Sequence, residues 1–181
     1  VIDWWLIGEA VSHYKREGFK YIEVPWFVSD AAVRVTMPPG RMGHRTQDGP
    51  LVGSAEQSFI QLMMNGTLPP GKYVAATPCF RDDEVDELHQ RYFMKVELIQ
   101  VCGSQDLKVE NQLHEMVKQA LGFFQSWYEG DYRIVKTDQE LDIELNGIEI
   151  GSYGYREHEQ FRWFFGTGLA EPRFTIVTER E

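Results

Sequence analysis

The chain has 181 residues, 43% of them hydrophobic, enough to bury a sizeable core in one domain spanning residues 1–181. With 18 Lys and Arg against 28 Asp and Glu its net charge is −10, which argues against a basic footprint for nucleic acid. No apolar run approaches a membrane span, the start Val1-Ile2-Asp3-Trp4-Trp5 lacks a basic n-region, and Cys79 and Cys102 have neither zinc nor disulfide-framework spacing, so a soluble cytoplasmic protein with reduced thiols is expected.

Asp3 can cap a helix from Trp4 to about Arg16, with Trp5, Leu6, Ala10, His13 and Tyr14 at helical spacing and Gly18 as its stop. Residues 19–24 alternate as a strand ended by Pro25. Residues 36–50, with their glycines, prolines, Arg41 and Arg45, read as a loop, either a solvated connector or a cover over a site. A short strand over Leu51-Val52-Gly53 turns into a helix capped by Ser54, with Gln57 at capping-box spacing and Glu56 in the first turn, where the helix dipole alone can explain a carboxylate. Phe59, Ile60, Leu62, Met63 and Met64 give that helix its buried face, and Gly66 with Pro69-Pro70-Gly71 ends it.

Residues 74–81 and 91–101 read as two antiparallel strands joined by the acidic loop Asp82 to Gln90. The pair offers Arg81, Asp83, Phe93 and Glu97 to whatever lies over it. That is either a nucleotide platform, with a guanidinium for phosphate and an aromatic face for a base, or a charged hairpin facing water. A turn at Gly103-Ser104-Gln105-Asp106 precedes the longest helical pattern, Leu107 to about Tyr128. Tyr132 to Val135 is a strand, and Leu141–Leu145, Asn146-Gly147 and Ile148–Tyr153 form a hairpin with a type I′ turn signal. In its second arm Glu149 alternates with Ile148 and Ile150. Aromatic residues 161–165 lead to Gly166-Thr167-Gly168, which taken alone reads as a turn, or as backbone left bare so that a ligand can approach, followed by Arg173.

In this order the segments resemble the catalytic core of class II aminoacyl-tRNA synthetases, most closely the seryl branch, over nearly the whole chain. The first helix, strand and Pro25 look like the first motif, which in the family builds a dimer interface. Gly53-Ser54-Ala55-Glu56 is similar to the Thr-Ala-Glu loop. Thr77-Pro78-Cys79-Phe80-Arg81 and Phe93-Met94-Lys95-Val96-Glu97-Leu98 look like the second motif. Ile148-Glu149-Ile150-Gly151-Ser152 matches a metal-binding glutamate with a serine three positions on, and Gly166-Thr167-Gly168-Leu169-Ala170 with Arg173 looks like the third motif.

The resemblance implies an α+β fold, an antiparallel sheet flanked by helices, and attack of an amino-acid carboxylate on the α-phosphate of ATP to give an aminoacyl-adenylate and pyrophosphate. Two anions must meet, so the site has to neutralise charge and align them. It implies Arg81 and Arg173 as catalytic groups, Arg81 on the α-phosphate and Arg173 over adenine and near the γ-phosphate. Phe93 would stack beneath adenine, Asp83 would face its amino group, and Glu149 with Ser152 would carry Mg²⁺. Glu56 and Glu97 would bind the ammonium and side chain of the amino acid.

The chain also departs from the pattern. The loop after Arg81 is short and acidic, His89 stands where the family has arginine, Met94 follows the stacking Phe in place of glutamate, and Asp82-Asp83 is shared with aspartyl- and phenylalanyl-type enzymes. No anticodon-binding domain or tRNA-binding coiled coil is expected. Two function classes follow: an adenylate-forming enzyme, a homodimer as the first motif implies, whose carrier or tRNA acceptor a partner would supply, and a non-catalytic paralogue that binds a ligand or regulates a partner.

Overall fold

The computed structural model describes residues 1–41, 43–82, 84–103, 109–138 and 140–180. Asp83, the turn expected at residues 104–106 and the expected helix start at Leu107 lie outside the described residues. In chain order the elements are α1 (Trp4–Arg16), β1 (Lys20–Tyr21), α2 (Asp30–Arg34), β2 (Arg45–Thr46), β3 (Gly49–Pro50), α3 (Ala55–Met64), β4 (Gly71–Phe80), β5 (Tyr92–Val101), α4 (Val109–Trp127), β6 (Tyr132–Lys136), β7 (Glu140–Leu145), β8 (Ile148–His158), β9 (Phe161–Glu171) and α5 (Arg173–Thr178).

Seven strands form one sheet in the order β1-β4-β5-β9-β8-β7-β6, and a separate small hairpin pairs β2 with β3. Every pairing in the large sheet is antiparallel except β1 with β4, so the α+β architecture is as expected. One face packs on α1, α4 and α5 through Leu6, Tyr14, Leu98, Phe124, Leu169 and Phe174. The other face is covered by α2 and α3 through Val33, Phe59, Ile60, Ile99, Trp163 and Phe165. The helix α3 reaches β4 and β5, and the part of this face running over β5, β9, β8 and β7 beyond it carries the polar side chains of the site.

Local chemistry explains most boundaries. Asp3 accepts a hydrogen bond from the Leu6 amide at 2.9 Å and opens α1, and Gly18, at φ 90°, follows its end. Asn146 and Gly147 both take positive φ, as a type I′ turn demands.

Four expectations are corrected. The strand over residues 19–24 shrinks to Lys20–Tyr21 with one further bond from the Ile22 amide to Val74 O, because only β4 lies beside it. The loop at 36–50 holds the β2–β3 hairpin, and α2 precedes it, too short for a visible periodicity. Gln57 closes its cap on the Gly53 amide at 2.8 Å, one residue before the expected one. Gly166-Thr167-Gly168 is not a turn but the middle of β9.

The glycines there serve packing. A Cβ on Gly166 would stand 2.4 Å from Cδ1 of Tyr153, and one on Gly168 would stand 2.7 Å from Cε2 of Tyr14. Those two buried tyrosines donate to the carbonyls of Thr167 and Gly168 at 2.6 and 2.8 Å. Burial holds both phenols well above the usual tyrosine range, so they remain donors.

No helix among the described residues is long and apolar enough to cross a membrane. Cys79 is buried, and its thiol is pushed up to about 12 by burial; Cys79 and Cys102 are not joined in a disulfide.

Candidate active site

Strand parity builds the floor. In β5, Met94, Val96 and Leu98 enter the core beneath α1 and α4, which sends Phe93, Lys95 and Glu97 to the opposite face. Two bulges adjust β8 and β9. In β8, Glu149 faces Glu144 and Gly151 faces Ile143, leaving Ile150 as an extra residue. In β9, Thr167 faces Glu97 and Leu169 faces Val96, leaving Gly168 extra. An extra residue reverses the alternation of side chains. Glu149 and Ser152, three positions apart, therefore line the same cavity, as do Thr167 and Ala170.

Two cavities open on this face. One, of about 270 Å³, is lined by Arg81, Phe93, Glu149, Thr167 and Arg173, with His89 at its rim. The other, of about 320 Å³, is lined by Glu56, Gln57, Phe80, Glu140, Arg156 and Phe165, with the loop residues Thr36, Met37, Pro38 and Arg41 as its far wall. The 36–50 segment thus contributes a wall of this cavity, in line with the second of its two sequence readings. Arg81, Lys95 and Ser152 line both cavities.

In the first cavity, the guanidinium carbon of Arg81 lies 5.1 Å from the Phe93 ring centroid, and its Nε donates to Gly53 O at 2.9 Å. Arg173 Nη1 stands 3.4 Å from Glu149 Oε1. A buried carboxylate sets the start of α5: Glu171 accepts from the Thr175 amide, the Thr175 hydroxyl and the Asp3 amide, at 3.2, 2.8 and 3.4 Å. Burial raises the Glu171 carboxyl above its ordinary range against those bonds.

The donor set is compatible with the Mg²⁺ that the resemblance implies. Glu149 and Ser152 offer oxygen ligands at this cavity, and Glu144 and Asp142 stand across from them in β7. Among the described residues no group of three or more His, Cys, Asp or Glu side chains is placed to hold a metal ion.

Both expected amino-acid carboxylates have protein partners; Glu56 lines the second cavity, and Glu97 lies buried outside the lining of either. Glu56 Oε2 accepts from Arg156 Nη1 at 2.9 Å and Oε1 from Trp163 Nε1 at 2.7 Å. Burial pushes Glu56 up to about 7, with the Arg156 charge and the Trp163 hydrogen bond pulling the other way. Glu97 is fully buried, with Lys95 Nζ at 3.0 Å from Oε1 and the Ser54 hydroxyl donating to Oε2 at 2.9 Å. Arg156 lies 4.2 Å from the Phe165 centroid and extends to Glu140 Oε1 at 3.3 Å; Glu140 Oε2 accepts from the Ser152 hydroxyl at 2.7 Å.

The structure therefore brings Arg81, Phe93, Glu149, Ser152 and Arg173 around one cavity, puts Glu56 on the wall of the other, and buries Glu97 beneath Lys95. Lys95, Glu140, Arg156 and Trp163 were not singled out from the sequence. Lys95 was the most legible of them, since it alternates with Phe93 and Glu97.

A family model, tRNA synthetases class II core domain (F), matches residues 51–175. No curated protein matches the chain. Among solved structures, the cytoplasmic serine-tRNA ligase of Naegleria fowleri in complex with AMP superposes with a TM-score of 0.76 at 19% identity, covering 96% of this chain and 46% of that one. The seryl-tRNA synthetase of Pyrococcus horikoshii complexed with ATP gives 0.77 at 18%, covering 95% and 49%. PylSc, a pyrrolysyl tRNA synthetase of Desulfitobacterium hafniense, gives 0.72 at 14%, covering 96% and 68%. The chain thus spans about half the length of the two seryl-type structures.

Proposed function

The chain belongs to the class II tRNA synthetase core domain family, and from that premise we propose that it binds ATP with Mg²⁺ and activates an amino acid or similar carboxylic acid as its adenylate. One observation carries the reading: Arg81, Lys95 and Ser152 belong to both cavities. An acid in one cavity and a nucleotide in the other meet at those three side chains. A carboxylate oxygen of the acid attacks the α-phosphorus, the bond to the β-phosphate oxygen breaks, and pyrophosphate leaves. Arg81 binds the α-phosphate and stabilises the charge that develops there, and Lys95 offsets the approach of the two anions. Phe93 supports the adenine, Asp83 meets its amino group, and Arg173 covers its other side and reaches the γ-phosphate. Mg²⁺, held by Glu149 and Ser152, would draw charge from the phosphate oxygens.

The first-motif resemblance and the outward aromatic side chains of Trp4, Trp5, Trp26 and Phe27 support a homodimer. The acidic loop after Arg81 supports activation without efficient tRNA charging by this chain alone, the acceptor being a carrier or a tRNA brought by a partner.

A second reading, a non-catalytic ligand-binding or regulatory module, is favoured by one observation: Glu56 and Glu97 are already paired within the protein. Amino-acid-dependent ATP–pyrophosphate exchange, run over the twenty amino acids, separates the two. Exchange with any of them supports activation; ATP binding without exchange leaves the binding module.

A further inference from the structure

We propose that Gln57 is a positioning residue: it ties the loop wall of the second cavity to Arg81, so that side chains outside the nucleotide cavity help to set the hold on ATP. The proposal rests on the activation reading above, in which Arg81 binds the α-phosphate.

Gln57 stands in the first turn of α3 and is 5% exposed. Both ends of its amide are committed. Oε1 accepts from the Gly53 amide at 2.8 Å, and Nε2 donates to the Thr36 hydroxyl at 3.1 Å. Residue 53 continues the chain of bonds, since its carbonyl accepts from Arg81 Nε at 2.9 Å. Three hydrogen bonds thus run from Thr36 through Gln57 and Gly53 to the Arg81 guanidinium.

Helix capping accounts for the bond to the Gly53 amide alone. It gives no reason for the side-chain nitrogen to hold Thr36, which precedes it by 21 residues, or for the capped residue to hold an arginine. Placement supplies the reason. Thr36 and Gln57 line the second cavity and do not border the first, whereas Arg81 borders both. Arg81 is exposed, and an exposed arginine gives up rotamer freedom when it takes hold of a phosphate. Fixing it beforehand lowers that cost. The bond to Gly53 occupies one of its five N–H donors, and the Phe93 ring at 5.1 Å gives the guanidinium plane a second support. Gln57 is the buried, fully bonded anchor behind that arrangement.

The test is titration calorimetry with ATP and Mg²⁺ and no acid present, so that a change cannot come from the acid itself. The wild type is compared with Gln57→Met, which keeps the length and loses both bonds, with Thr36→Val, and with Thr36→Ser, which keeps the hydroxyl. Gln57→Met should weaken ATP binding about five- to tenfold and Thr36→Val about threefold, with Thr36→Ser within about 1.5-fold of the wild type. On an Arg81→Ala background, Gln57→Met should change Kd by less than about twofold, because the effect runs through Arg81. All titrations are run below the unfolding transition of each variant, and Thr36→Val carries the test if Gln57→Met does not fold. A residue that only caps α3 would lower Tm in Gln57→Met and leave Kd alone. That result, an unchanged Kd in Thr36→Val, or a Gln57→Met effect that persists in full without Arg81 would overturn the proposal while activation stands. A wild type that does not bind ATP, or an Arg81→Ala variant that binds it as the wild type does, overturns the role of Arg81 in the activation reading as well.

Discussion

Glu56 and Arg156, one hundred residues apart, meet at 2.9 Å in the wall of the second cavity, with the indole of Trp163 closing the other side of the carboxylate. The charge of Glu56 is nonetheless costly, because burial outweighs both partners and raises its carboxyl to about 7 from an ordinary 4.5. The folded protein therefore binds this proton more tightly than the unfolded chain. The resulting stabilisation is complete below about pH 4.5 and is lost as the pH rises through about 7, to an extent on the order of 3 kcal/mol. Glu56→Gln should flatten this part of the stability profile. Urea unfolding at a series of pH values checks it, and an unchanged slope in the variant would assign the pH dependence to another group.

Arg81 joins the two cavities and lies over Phe93. Arg81→Ala should weaken ATP binding by about 1.5–3 kcal/mol, roughly ten- to hundredfold in Kd, through loss of a charge-assisted phosphate contact. Titration calorimetry of both proteins with ATP and Mg²⁺ measures this, and equal affinity would remove Arg81 from the phosphate site.

Glycine substitutions should separate packing from propensity. Gly166→Ala drives a Cβ to 2.4 Å from the Tyr153 ring and 2.9 Å from Met116 Sδ, and should destabilise by about 1–3 kcal/mol. Gly122→Ala, in α4 with nothing within 4 Å of the new Cβ, should stabilise by up to about 1 kcal/mol. Thermal unfolding of the pair gives opposite shifts in Tm; shifts of one sign would refute the packing account of Gly166.

Much of this fold was legible because helix periodicity, caps and turn residues act over short distances. Asp3, Ser54 and Asn146-Gly147 bound their elements as their chemistry requires. The extra residues Ile150 and Gly168 were not legible, since a bulge leaves no mark in composition, and they decide which side chains share the first cavity. Gly166 and Gly168 suggested a ligand because the tyrosines they admit come from other elements. The pairing of Glu56 with Arg156 depends on α3 and β8 meeting across the sheet, which no local pattern encodes.

The surface aromatics predict assembly. Trp4 and Trp5 are each 64% exposed, and Trp5 packs edge-on against Trp127 at 4.9 Å between centroids. Light scattering at micromolar concentration should give a dimer, and Trp4→Glu should shift it toward monomer. A monomeric wild type would refute the homodimer.

The loop after Arg81 predicts weak tRNA charging. Asp86 turns inward to cap the Leu88 and His89 amides, and Glu87 pairs with Arg180 at 2.6 Å, while Asp82 and Glu84 remain exposed. Such a loop repels a phosphate backbone. With ATP, Mg²⁺, the best exchange substrate and total tRNA, acid-stable aminoacyl-tRNA should remain near background. Robust charging at moderate salt would overturn this.

The tyrosine bonds to β9 have a mechanical consequence. Ladder pairing between β8 and β9 runs from His158–Phe161 to Tyr153–Gly166 and goes no further. Beyond that point one plate, β1-β4-β5-β9, carries Arg81, Phe93, Lys95 and, through α5, Arg173. The other, β8-β7-β6, carries Glu149 and Ser152. The first cavity lies across this seam, with Phe93 and Lys95 on one side and Glu149 and Ser152 on the other. Two phenolic hydroxyls, from Tyr14 on α1 and Tyr153 on β8, grip consecutive carbonyls of β9 at that seam. The spacing of Phe93 and Lys95 from Glu149 and Ser152 is thereby gauged from the protein interior, by side chains that line neither cavity.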